Sequence, residues 1–141
     1  MASPVLLFRI PKVVDVVHHP EARAVVAHWE SLCTPECRSA IERGAEECRR
    51  LGAKTWVIDL TRNPGVPSQD DLVWMGTTGV RLAQRCGLAA VINVHGESAL
   101  ASLGSKRWTK GASDGGLSTY DCQSMADALQ LAADVAAGRA A

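Results

Sequence analysis

The chain reads as an α/β domain: a mixed sheet of about five strands that starts with an antiparallel hairpin, packed against about four helices. Three observations point there. Two apolar runs, 12–18 (KVVDVVH) and 23–30 (RAVVAHWE), are separated only by His19-Pro20-Glu21-Ala22, a turn short enough for antiparallel pairing. Two later runs, 54–60 (KTWVIDL) and 88–95 (LAAVINVH), are apolar without alternation, the mark of strands buried on both faces. Around these later runs stand segments with apolar residues at helical spacing, so the second half alternates strand and helix.

The elements follow in order. Residues 5–10 (VLLFRI) are β-prone and stopped by Pro11, which suits an extra edge strand. The hairpin occupies 12–30. Thr34 is then a good N-cap, Pro35 a good first helical residue, and Glu36 suits the positive helix end. This helix should reach Leu51 and stop at Gly52. Cys37, Ile41, Ala45 and Cys48 form its buried stripe; Glu42, Arg43, Glu46 and Arg50 face out.

After the strand 54–60 comes a breaker-rich turn, Asn63-Pro64-Gly65-Val66-Pro67. Ser68 should cap a helix reaching Arg85, with Asp71 at its third position. Leu72, Met75, Gly79, Leu82 and Cys86 make the inner stripe. Gly76 and Gly79 each weaken such a helix by about 1 kcal/mol relative to Ala. Close approach to the sheet is the expected compensation, with helix mobility as the alternative. Gly87 ends the helix and the strand 88–95 follows. A further helix is expected over 97–110, with Leu100, Leu103 and Trp108 inward, then a loop over 111–116. A short strand, 117–121, precedes a last helix that opens at 122–124 and runs to about residue 137, with Met125, Leu129, Ala132 and Val135 or Ala136 inward. The 141 residues fit a single domain with its core over about 12–137.

Composition narrows the function. Lys plus Arg number 15 and Asp plus Glu 15, so the net charge is zero and nothing global favours nucleic acid or an acidic membrane. No apolar run approaches the roughly 20 residues that span a bilayer. The run 5–8 (VLLF) is too short for a signal-peptide core, and a cytoplasmic location is expected. Cys33, Cys37, Cys48, Cys86 and Cys122 form no CxxC pair and no zinc spacing, so they read as free, mostly buried thiols. No metal and no cofactor is expected.

Catalytic residues are not expected either. His18 and His19 are adjacent in a strand and point to opposite faces, so they cannot easily share an ion with Glu21. His28 lies within a strand. His95 ends one and is followed by Gly96-Glu97-Ser98, but no G-x-S-x-G elbow and no glycine-rich phosphate loop is present. Lys106, Arg107 and Lys110 around Trp108 read as a solvated helix face. The polar groups most suited to function gather in 54–75, where a central strand ends, as sites in open α/β sheets do. The candidate binding residues there are Asp59, Thr61, Val66, Pro67, Ser68, Asp71 and Trp74, with His95 and Glu97 at the neighbouring strand end. Trp74 reads equally as core or as a partner-facing anchor.

The strand Trp56-Val57-Ile58-Asp59, Asp71 and Trp74 in the next helix, Gly87 before an apolar strand, and Tyr120-Asp121 before the final helix together resemble the STAS superfamily. The closest branch is the STAS/SEC14-like one, related to bacterial anti-sigma-factor antagonists. The resemblance covers roughly 12–136. It implies a non-enzymatic regulatory module that binds a protein partner and switches by phosphorylation of a serine at a helix start. Ser68 falls on that phosphoacceptor position. Pro67 stands where the family motif has Asp, Gln69 replaces its second hydroxyl residue and Asp70 its Gly. A phosphate there would gain from free helix N–H groups and be repelled by Asp70 and Asp71. Plain N-capping is the competing role for Ser68. The SEC14-like side implies instead a small apolar ligand or lipid, held between helices and sheet under the helix 97–110. An uncharacterised Cys or His enzyme is the third reading, and homodimerisation is left open.

Overall fold

The computed structural model describes residues 3–95 and 117–139. Six strands form one mixed sheet in chain order: β1 (Val5–Ile10), β2 (Val14–His19), β3 (Ala24–Trp29), β4 (Thr55–Leu60), β5 (Ala90–His95) and β6 (Ser118–Cys122). β1, β2 and β3 pair antiparallel; β3 through β6 pair parallel. The expected hairpin is present, and the run 5–10 pairs with it to make a sixth strand where about five were expected. Phe8 draws that strand in: it is buried and lies in register with Val16.

The β2–β3 reversal is one 3-10 turn, Pro20–Ala22, closed by Arg23 in the left-handed region at φ 49°. Arg23 also fastens the layers. Its guanidinium donates to the Gly52 carbonyl at 3.0 Å, and its own carbonyl accepts from the Lys54 N–H at 2.8 Å.

Each described parallel crossover carries helix. α1 (Cys37–Leu51) joins β3 to β4. α2 (Gln69–Trp74), a π-helical turn (Met75–Gly79) and α3 (Val80–Arg85) join β4 to β5. These elements pack on one face, as crossovers of one hand stepping the same way must. That core holds Val25, Trp29, Trp56, Ile58 and Val91 against Cys37, Ala40, Cys48, Leu72 and Val80. On the opposite face Val26, Val57, Ile92 and Val94 meet Ala128 and Ala132 of α4 (Met125–Ala136), whose N-cap is Ser124. β4 is buried at all six positions, as its unbroken apolar run requires. The helix expected over 97–110 and the loop 111–116 lie outside the described residues. No helix among the described residues is long and apolar enough to cross a membrane.

Three local expectations are corrected. α1 begins at Cys37, later than Thr34 and Pro35 imply, because the Thr34 hydroxyl is engaged by Glu36 and a separate turn precedes the helix. The inner stripe of the second helical arm shifts after Met75: Val80 is buried and Leu82 half-buried, the reverse of a 3.6-residue period. The π turn inserts the extra residue that rotates everything after it. In α4 the buried positions are Ala128 and Ala132, with Met125 and Leu129 packed at the margin. Small side chains let the helix lie close to the sheet.

α1 approaches the sheet closely at one point. A Cβ on Gly44 would lie 2.6 Å from one carbon of the Trp56 ring and closer to the next. Trp56 is 7% exposed and cannot swing clear. Gly44→Ala should therefore lower stability by about 1–3 kcal/mol through overpacking, despite Ala's better helix propensity. Urea denaturation measures it, and the loss should shrink in a Trp56→Leu background. Equal losses in both backgrounds would exclude the contact as the cause.

Candidate functional site

Asp59 is the charged residue of β4, and it is 6% exposed. It lies on the α4 face, in register with His28 of β3. One carboxylate oxygen is 2.6 Å from His28 Nδ1. The other accepts the Thr61 backbone N–H at 2.9 Å and the Thr61 hydroxyl at 2.7 Å. Burial alone pushes the Asp59 pKa up, but the bonds from His28 and Thr61 outweigh it and hold the group below its ordinary 3.8. An ionised carboxylate only accepts, so His28 Nδ1 carries the proton. The row continues across the sheet: Asp15 is in register with His28, and Arg9 with Asp15, to which Arg9 Nε donates at 2.7 Å. Basic and acidic side chains thus alternate across four strands.

The loop after β4 is tied down before α2 begins. Asn63 sits at φ 53° and Gly65 at φ 84°, which turn the chain sharply. The Pro64 carbonyl accepts the Leu32 N–H at 3.0 Å. Pro67 is buried and Val66 half-buried, so both serve to seat the loop on the core. Ser68 is exposed, and its hydroxyl oxygen accepts the Asp71 N–H at 3.1 Å, the expected cap. The Asp71 carboxylate accepts Arg38 Nε at 2.6 Å, and the Arg38 guanidinium lies 5.6 Å from the centroid of the Trp74 ring. Trp74 is half-buried, packed on the core beneath and capped by Arg38 above. Of the two readings of this residue, the structure shows the packing on the core.

His95 lies on the face covered by α1 and α3, in register with Leu60, and so on the opposite side of the sheet from Asp59. Its Nε2 is 2.5 Å from Asp121 of β6, whose same oxygen accepts from Asn93 at 3.4 Å. The candidate residues therefore form three groups. Asp59 and Thr61 join His28; Ser68, Asp71 and Trp74 join Arg38; His95 joins Asp121. Glu97 lies outside the described residues. His28, Arg38 and Asp121 were missed as site partners by the sequence. For Arg38 a signal existed: a cation in the first turn of α1 opposes the helix dipole and calls for an outside carboxylate. For the other two nothing short of strand register could have found them.

The two buried thiols, Cys37 and Cys48, are held in their neutral form. Burial, with the Asp71 charge adding, pushes Cys37 up to about 12, and burial beside Cys86 pushes Cys48 to about 12. Both are neutral near pH 7 and poor nucleophiles. Cys33 is exposed; Cys86 and Cys122 are half-buried. Among the described residues no group of three or more His, Cys, Asp or Glu is placed to hold a metal ion. No protein-family model, curated protein or solved structure matches the chain.

The Asp59 network sets a pH dependence. A carboxylate whose folded pKa is depressed stabilises the fold above its unfolded pKa and loses that contribution as pH falls through the folded value. Wild-type stability should therefore decline from about pH 4 downward. Asp59→Asn should lower stability at pH 7 by about 1–3 kcal/mol and flatten the acid decline. Chemical denaturation at a series of pH values reads both. An unchanged acid slope in the variant would show that the decline arises elsewhere.

Proposed function

We propose that this chain is a non-enzymatic regulatory module that binds a protein partner through the loop 61–68 and the outer face of α2. The observation that carries the reading is Val73. It is 56% exposed, and it shares a helix face with Gln69 and Thr77, with Ser68 and Asp70 beside it, all exposed to solvent. A large apolar side chain is left in water on a surface that is otherwise held firmly. Asp71 and Trp74 are clamped by Arg38 from α1, and Pro64 and Pro67 seat the loop, so the face loses little freedom on binding. Arg38 over Trp74 supplies the residue types that anchor interfaces, with Thr61 and Arg62 as a polar rim.

The resemblance to anti-sigma-factor antagonists supplies the kind of partner, a regulatory protein, and points to Ser68 as the switch. A charge at Ser68 would disturb the bond from the Asp71 N–H and crowd Asp70 and Asp71. His95 ends the neighbouring strand, in register with Leu60.

Affinity capture from native lysate with wild type, Ser68→Glu and Val73→Asp tests the reading. Affinity for the captured protein is then measured directly by calorimetry. Wild type should retain a specific partner, and both variants should bind it at least about tenfold more weakly, a loss of about 1.4 kcal/mol. Capture of the same protein with equal affinity by all three would remove this face from the interface. Failure of wild type to retain anything would remove partner binding itself.

A further inference from the structure

Beneath the π turn lies a cavity of about 50 Å³, walled by Ile41 and Ala45 of α1, Trp56 of β4, Met75 and Gly79 of the turn, and Ala83 of α3. Apart from the Trp56 indole N–H, its lining carries no hydrogen-bonding side chain, and it is half-open to the outside. Protein cores pack at close to crystal density, and a void in one costs stability. Gly79 lines this one, and no close contact demands a glycine there. Its backbone is right-handed helical, at φ −60° and ψ −41°. A Cβ at Gly79 would meet Trp74 and Met75 at 3.7–3.9 Å, ordinary van der Waals contact, with no approach to the sheet. Gly44 differs, since the Trp56 ring requires it. Gly79 therefore weakens its helix by about 1 kcal/mol, and what it leaves behind is space.

We propose that this cavity binds a small uncharged apolar group, an alkyl chain end of a few carbons, and that Gly79 sets its size. Beyond the single Trp56 N–H, a polar or charged occupant would lose its water without finding a partner. The volume exceeds the roughly 10–15 Å³ that holds one water and falls well short of the roughly 150 Å³ that takes a benzene ring. The half-open mouth lets a polar end remain in solvent. The site is separate from the partner surface, and its test does not depend on that reading.

Straight-chain alcohols from ethanol to 1-hexanol are the probes, titrated while the Trp56 indole N–H is followed by NMR. A saturable shift is expected at Trp56, with affinity rising about fourfold per added methylene until the cavity is full, then levelling off. The Trp29 indole, buried in β3, should not respond. Gly79→Ala and Ala83→Val, narrowing the cavity from different elements, should each weaken binding at least about tenfold, and Gly79→Ala should also raise Tm. Far-UV circular dichroism confirms that each is folded. No saturable shift in wild type, or unchanged binding in either folded variant, overturns the proposal.

Discussion

Burial of β4 on both faces is the constraint the rest of this protein satisfies. A strand with six buried positions needs cover above and below, and the chain provides it from different sources. Crossover helices cover one face because parallel connections must carry them. α4 covers the other because the chain has paired its last strand and can return. The strand's charged residue, Asp59, then has to find hydrogen-bond partners inside the protein. His28 and Thr61 are those partners, through three hydrogen bonds, and the loop leaving the strand is fixed as a result. The tight turn that begins at Thr61 is thus partly a consequence of solvating a buried carboxylate.

Close packing sets the second layer of detail. Gly44 and Gly79 are both helical glycines facing Trp56 or the space beside it, yet they answer different needs. The first removes a clash, so that α1 can lie against an indole ring. The second removes nothing but bulk. Between them the helical arm after β4 changes period at the π turn, which brings Val80 inward and leaves Leu82 at the margin. A helix that must both follow a strand end and pass over a large aromatic side chain has reason to accommodate an extra residue.

The Arg38, Asp71 and Trp74 contacts show how such an arm is held on the outside. An arginine in the first turn of α1 is unfavourable to that helix alone. The pair it makes with Asp71 relieves this, and at the same time the carboxylate sits in the first turn of α2, where a negative charge is favourable. Each charge thus has two reasons for its position. The outward face of α2, bearing Val73, is carried on this clamp.

Much of the fold was legible in the chain itself. The hairpin and the two central strands followed from apolar runs and breakers. The Ser68 cap and the Gly52 stop were written in neighbouring residues, because caps and turns are short-range chemistry. The second helical arm was legible as a helix but not in its face, since no local signal marked the π turn. Within the candidate site, Ser68 and Asp71 were identifiable from capping alone, whereas the splitting of Asp59 and His95 onto opposite faces was not. That depends on which residues of β4 and β5 lie in register, and a slip of one residue reverses it. The partners His28 and Asp121 stand 31 and 26 residues from the groups they hold. The sequence by itself determined where elements begin, how they end and which strands are central. Tertiary structure alone decided which charges meet, because that is settled by register between distant strands, where neighbours in the chain carry no information.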